Sequence, residues 1–274
     1  MATSIYMDNS ATTPLDPRVA AAMEPYSRDM FGNPSSLYLP GREARQAVDH
    51  ARQQVADLIH ASPEEIVFTA SGTESDNMAL KGVADALGPH NGHIITSAVE
   101  HPAVLETCRW LESHGVGVSR LPVDGDGIVD PDALPRLFQP ATFLVSVMAA
   151  NNVVGTLQPV GELARITREH GALFHTDAVQ AAGKVPVDVS RDAFDLVSLS
   201  AHKLHGPKGV GALWVRNGTP LEPLIHGGGQ ERGLRSATEN VAGIVGFGQA
   251  AALARKNMSE EAAYKLTQPL ATAG

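Results

Sequence analysis

Short apolar runs alternate with longer amphipathic segments from about residue 64 to residue 215. The runs are EIVFTA, HIITSA, GVSRLPV, TFLVSVMAA, ALFHTDAV, FDLVSLSA and VGALWVR, each of strand length. Helix-like segments lie between them over 74–87, 102–114, 131–138 and 160–170. The last of these stops at Gly171, a residue that enters the left-handed region without a Cβ clash. This alternation predicts an α/β fold in which a mostly parallel sheet is covered by helices. The first 60 residues read as a loop-rich arm followed by a helix over GREARQAVDHARQQVADLIH, and the chain from Val241 onward reads as an Ala-rich helix. No internal repeat or low-complexity linker interrupts the pattern. DGDG at 124–127 predicts a turn, because the stretch lacks the ligand spacing and closing glutamate of a calcium loop.

Length changes this picture little: 274 residues suffice for one large domain, or for one plus a fragment. A chain that is 43% hydrophobic and 19% charged folds as a globular protein rather than staying disordered. The net charge of −9, with both signs mixed along the chain, argues against a nucleic-acid surface or a polybasic membrane patch. Small molecules or proteins are the expected partners. MATSIYMDNSATT lacks a basic region followed by an apolar stretch, and no segment approaches a membrane span, so a cytoplasmic location is expected. A single cysteine, Cys108, precludes an intrachain disulfide or a cysteine-based metal cluster within these residues.

In a parallel sheet, functional groups gather beyond the carboxyl ends of the strands. TASGTESDN places a small-residue loop before a helix, so N–H groups around Gly72 and Thr73 are candidates to hold a phosphate; a plain helix cap by Ser71 or Thr73 is the alternative. Glu100-His101-Pro102 follows a strand directly, which raises the interest of His101. Asp177 ends another apolar run, where a desolvated carboxylate needs a partner: a protonated ring nitrogen, an arginine or a helix N-terminus. Lys203 follows 26 residues later, about one connection plus one strand, so both can reach the same edge of neighbouring strands. A lysine in a partly dry site loses proton affinity and becomes a usable amine nucleophile. Ser200 and His202 stand ready for phosphate oxygens, whereas Lys208 in GPKG reads as a solvated turn residue. An amine, a carboxylate for a ring nitrogen, a ring platform and an anion cradle are together what pyridoxal 5'-phosphate requires.

MDNSATT, FGNPSS, GTESDN, EHPAVLETC, ANN, GTLQP, HTDAVQAAGKVPVDV, SLSAHKLHGPKG and GGGQERGLRSATEN follow in that order. Through them the chain resembles, over about residues 6–250, the NifS/IscS-like cysteine desulfurases of the class V aminotransferase family. The resemblance implies the large domain of a fold-type-I pyridoxal-phosphate transferase, a homodimer that takes sulfur from L-cysteine or a related amino acid and leaves alanine. It assigns Lys203 to the Schiff base, Asp177 to the pyridine nitrogen and His101 to the ring face. Asn152 and Gln180 would contact ring oxygen or substrate. Thr73, Ser200 and His202, with backbone N–H groups around Gly72, would hold the phosphate, and Thr238 would reach the phosphate of the other subunit. Ala149, Val153, Ala237 and Ser71 depart from residues common in the family.

The same resemblance divides the chain into an arm over 1–15 belonging with a small domain, a coenzyme-binding domain over 16–255, and a helix and tail over 256–274. The family's small domain carries a persulfide-forming cysteine and a carboxylate-clamping arginine, and LTQPLATAG lacks that usual continuation. Cys108 reads as a helix-packing residue. A desulfurase-family enzyme with a sulfur-acceptor or scaffold protein as partner is therefore weighed against a coenzyme-binding protein without turnover, and against transaminase or selenocysteine-lyase chemistry.

Overall fold

Each of the seven apolar runs forms a strand in the computed structural model, which describes residues 5–87 and 92–265, with side chains to residue 258. The strands are β1 (Ile66–Thr69), β2 (His93–Ser97), β3 (Gly117–Leu121), β4 (Thr142–Ser146), β5 (Leu173–Asp177), β6 (Leu196–Ser200) and β7 (Gly211–Val215). They make one sheet in the order β1-β7-β6-β5-β4-β2-β3. Strands β2 to β6 pair in parallel, as does β3 with β2, whereas β7 runs antiparallel to both β6 and β1. The reversal has a local cause. A parallel return needs a crossover of a dozen or more residues, and the link from Ser200 to Gly211 is too short for one.

The helices are α1 (Pro17–Arg28), α2 (Leu39–Leu58), α3 (Gly72–Leu87), α4 (Pro102–Ser113), α5 (Val160–Glu169) and α6 (Val241–Lys265). Alternation along each strand divides the core between the two faces of the sheet. Val197 and Leu199 of β6 pack with Val48 and Val55 of α2, Leu163 of α5, and Ile244 and Phe247 of α6. Leu196, from the other face, packs with Met78, Leu80 and Val83 of α3 and with Val104, Cys108 and Leu111 of α4.

One helix was not anticipated and one expectation needs correction. Within the loop-rich stretch before α2, Asp16 caps α1 by accepting from the Arg18 N–H, and Pro17 starts the helix. Only Val19 of α1 is fully buried and Pro25 lies inside it, so the apolar period was too faint to read. The segment expected as a helix over 131–138 is instead a 3-10 helix, Pro131–Leu137; Pro135 inside it lacks the N–H an α-helix would use. Gly171 adopts φ +74° at the end of α5, and the Asp124 carboxylate accepts the N–H groups of Asp126 and Ile128 in the expected turn.

The arm also lies along the turn that follows β6. Thr13 donates to the His202 carbonyl through both N–H (3.0 Å) and hydroxyl (2.8 Å), and the Asp16 N–H donates to the His205 carbonyl at 3.0 Å. Among the described residues no helix is long and apolar enough to cross a membrane, and no cluster of side chains has the makings of a metal site.

Candidate active site

The carboxyl ends of β5 and β6 put Asp177 and Lys203 on one rim. Asp177 is the last residue of β5, in register with Ser198 of β6; β6 then ends at Ser200 and a short 3-10 turn, Ala201–Lys203, brings the lysine back over the strand ends. The first turn of α3 arrives from one side, His101 precedes α4, and the loop after β4 contributes Asn152. Together they enclose a cavity of about 540 Å³. Gly72, Thr73, His101, Asn152, Asp177, Gln180, Ser200, His202 and Lys203 all line it. Thr238 does not; it is exposed and lines a separate cleft with Thr69 and Glu239.

Neighbouring contacts fix most of these groups. His101 is the N-cap of α4, its Nδ1 accepting the Ala103 N–H at 3.1 Å, so in the neutral ring Nε2 carries the proton. Of the paired asparagines, Asn151 is the structural one: it donates to the Val99 carbonyl and accepts from the N–H groups of Val153 and Val154, leaving Asn152 to the cavity. Gln180 donates to the Ser10 carbonyl at 2.7 Å and accepts from Lys184 Nζ at 2.9 Å. His202 Nδ1 pairs with the Thr12 hydroxyl at 3.1 Å. Lys203 Nζ donates to the carbonyls of Ser10 and Ala11. The helix-cap reading of SGT holds as well, since Ser71 Oγ accepts the Glu74 N–H at 3.1 Å.

Burial sets the electrostatics. It lowers the proton affinity of Lys203, against the opposing pull of Asp177 and Asp8, and so favours the neutral amine. His202 is likewise lowered, by burial and then by Lys203 and Lys208. Desolvation raises Asp177; the Val179 N–H, His101 and Lys203 oppose the rise. Beneath the cavity a polar band crosses the sheet face toward α3. Ser146 of β4 pairs with His175 Nδ1 at 2.8 Å, and His175 Nε2 pairs with Ser198 of β6 at 3.0 Å. Burial pushes His175 down to about 3, so it is neutral. Glu100 is pushed up to about 8 by burial, although Ser97 Oγ donates to it at 2.5 Å and the Met148 N–H at 2.9 Å.

Asp8, Ser10, Ala11, Asp76, Met148, Val153 and Val179 also line the cavity, and sequence reasoning did not single them out as site residues. Asp76 left a trace: it stands one helical turn from Gly72 and from Leu80, on the buried stripe of α3, where a carboxylate has no ordinary place. The arm residues left none, because a contact between residues 10 and 203 depends on the fold.

The donor set fits pyridoxal phosphate. Ser200 is 3% exposed and its hydroxyl has no partner among the described residues, so the wall holds a buried polar group able to meet a ligand oxygen. At Gly72 an added Cβ would stand 2.7 Å from Val179 Cγ2 and 3.4 Å from Ser200 Cβ, so the absence of a side chain keeps this corner open. Asp177 and Lys203 bring the carboxylate and amine that the ring nitrogen and aldehyde require. Cys108 is not a site residue: it is 0% exposed in α4, and burial pushes its thiol up to about 12.

A family model described as Aminotransferase class-V matches residues 5–273. The cysteine desulfurase IscS of Dictyoglomus turgidum is 52% identical over 261 residues, covering 95% of this chain and 66% of that protein. The cysteine desulfurase IscS of Methanosarcina thermophila is also 52% identical, covering 94% of this chain and 64% of its own length. The chain thus spans just under two thirds of these relatives. Among solved structures, a NifS-like protein is 48% identical and superposes with a TM-score of 0.92, covering 95% of this chain and 72% of its own. A structure of SspA in complex with cysteine is 40% identical, with a TM-score of 0.88 over 96% of this chain and 78% of that one.

Proposed function

Because the chain belongs to the aminotransferase class-V family, we propose that it forms the coenzyme-binding domain of a pyridoxal 5'-phosphate-dependent cysteine desulfurase. In that reading the whole protein, a cytoplasmic homodimer, takes sulfur from L-cysteine for iron–sulfur cluster or thio-cofactor synthesis and leaves L-alanine. One observation carries it: the Lys203 amine and the Asp177 carboxyl line a single cavity at the ends of adjacent parallel strands, beside a buried hydroxyl without a partner at Ser200. The similarity to cysteine desulfurases over 95% of the chain supports the choice of reaction.

Bound pyridoxal phosphate supplies an electron sink for bonds broken at a substrate α-carbon. The chain's own residues would do the rest. Asp177 would hold the proton on the ring nitrogen, its charge favoured by His101 and Lys203. Lys203, deprotonated more readily through burial, would hold the coenzyme covalently and move the α-proton. His101, kept in one orientation by its cap to Ala103, would support the ring face. The backbone of Gly72 and Thr73, with Ser200 and His202, would hold the phosphate, while Asn152 and Gln180 orient ring or substrate. Thr238, outside the chain's own cavity, would serve the partner subunit's phosphate. The thiolate that accepts sulfur would come from outside residues 1–274, because Cys108 is buried and held as a thiol. That fact favours a second reading for these 274 residues alone: coenzyme binding without sulfur release.

The test is direct. The purified protein is mixed with pyridoxal phosphate, its visible absorption followed, and the adduct reduced with borohydride and mapped. Label on Lys203, lost in Lys203→Ala, is expected; label on another lysine, or none, defeats the proposal. Adding cysteine and measuring sulfide and alanine separates turnover from coenzyme binding alone.

A further inference from the structure

Two buried carboxyl groups, from Asp76 and Asp177, line the cavity, a third, Glu100, is buried near enough to repel both, and the family reading uses only Asp177. Glu100 is accounted for: Ser97 Oγ and the Met148 N–H fasten it, which ties the loop before α4 to the loop after β4. Asp76 is not. It is 1% exposed, projects from α3 into the cavity wall, and its Oδ1 has no hydrogen-bond partner among the described residues. An ionised, unpaired carboxylate in such a place costs several kcal/mol.

Among the described residues, the groups that act on Asp76 include no cation. From β5 come Asp177, an anion when ionised, and His175, whose Nε2 lies 3.6 Å from Asp76 Oδ1 but is neutral and already paired with Ser198. From β6 comes the Ser198 hydroxyl, and from the loop after β2 comes Glu100. His101 and Lys203 act on Asp177 instead. Two like charges in one buried site cannot both form at ordinary cost, so one carboxyl retains its proton.

We propose that Asp76 is a positioning residue for the coenzyme ring: it stays a neutral acid at the cavity floor, which leaves Asp177 as the sole anion presented to the ring nitrogen. This rests on the reading of the cavity as a pyridoxal-phosphate site. Burial first, then Asp177, raises the proton affinity of Asp76 well above the usual carboxylate range, with Ser198 opposing. As a neutral acid Asp76 is both donor and acceptor, and so completes the polar band of Ser146, His175 and Ser198, the last of which is in register with Asp177. Asparagine reproduces that neutral donor; alanine does not.

The experiment has two arms. In the first, the infrared difference spectrum between the coenzyme-free protein and Asp76→Asn is expected to show the carbonyl band of a protonated carboxylic acid lost on substitution. Loss of a carboxylate band alone would overturn the proposal. In the second, the pyridoxal phosphate dissociation constant is measured. Asp76→Asn is expected to bind within about threefold of the parent, whereas Asp76→Ala weakens binding about tenfold, the usual scale of one buried hydrogen bond. Equal weakening by both variants, or none by Asp76→Ala, would overturn the proposal. If the parent binds no coenzyme, the reading of the cavity fails, while the infrared arm still decides the state of Asp76.

Discussion

Replacing Glu231 by glutamine isolates the buried ion pair that anchors the glycine-rich loop over 227–240. Arg52 meets Glu231 through two bonds of 2.6 and 2.7 Å, and the Phe68 N–H of β1 donates to the same carboxylate at 2.9 Å. The two side chains are 7% and 2% exposed, so neither charge is shared with water. Glu231 and Arg232 adopt φ of 47° and 58°, in the left-handed region, and that geometry is sustained by what the side chains hold. Arg232 is tied by its own bond to the Ile66 carbonyl. Removing one partner of a buried pair costs about 3–5 kcal/mol, because the other charge stays buried. Arg52 keeps a bond to the Ile66 carbonyl (2.7 Å) and its place over the Phe68 ring. The low end, about 3 kcal/mol, is therefore expected for Glu231→Gln. The positive φ is the same for glutamine, so the difference reports the charge. Urea unfolding of Glu231→Gln, Arg52→Met and the double variant closes a cycle, and a coupling of about 2 kcal/mol is expected. A midpoint for Glu231→Gln within about 0.5 kcal/mol of the parent, or strict additivity, would refute the reasoning.

Four further outcomes follow from individual residues. Gly72→Ala should cost about 1–3 kcal/mol through its contact with Val179 and push that side chain into the cavity; thermal melts with and without pyridoxal phosphate would show the coenzyme's stabilising effect lost. Glu100 binds its proton in the folded chain up to about pH 8, against an ordinary 4.5, so its contribution to stability declines as pH rises through that window, by at most ~1.4 kcal/mol per pH unit for one proton. Glu100→Gln should flatten that slope in denaturation midpoints taken from pH 5 to about pH 8, and an unchanged slope would remove Glu100 as its source. Cys108 should resist a thiol reagent in the native protein and react in denaturant; fast native labelling would contradict its burial. Asn151→Ala should lower stability by about 1–3 kcal/mol through the loss of its loop contacts, while Asn152→Ala leaves the melting temperature near the parent value.

The strands, three of the four central amphipathic segments and the cluster of polar residues at strand ends were legible because each is a local matter. Strand length, the stop at Gly171 and the change from apolar run to histidine-rich bend before Lys203 are all written within a few residues of one another. Helix α1 was not legible, since its burial comes from packing on α6 and only Val19 is fully enclosed. The segment over 131–138 looked helical by spacing, but Pro135 removed the donor that α geometry needs.

The amino-acid order alone determined that Asp177 ends one strand and Lys203 follows the end of the next, and with it the chemistry their types can support. Only the tertiary structure decided what surrounds them. It laid residues 10–13 against the turn at 202–205, separated Asn151 from Asn152, placed Thr238 outside the cavity and turned Asp76 onto its floor. The physical reason is that strand and helix periods act over a few residues, whereas burial of a charge, and the proton it then keeps, depends on whichever distant segments exclude water from it.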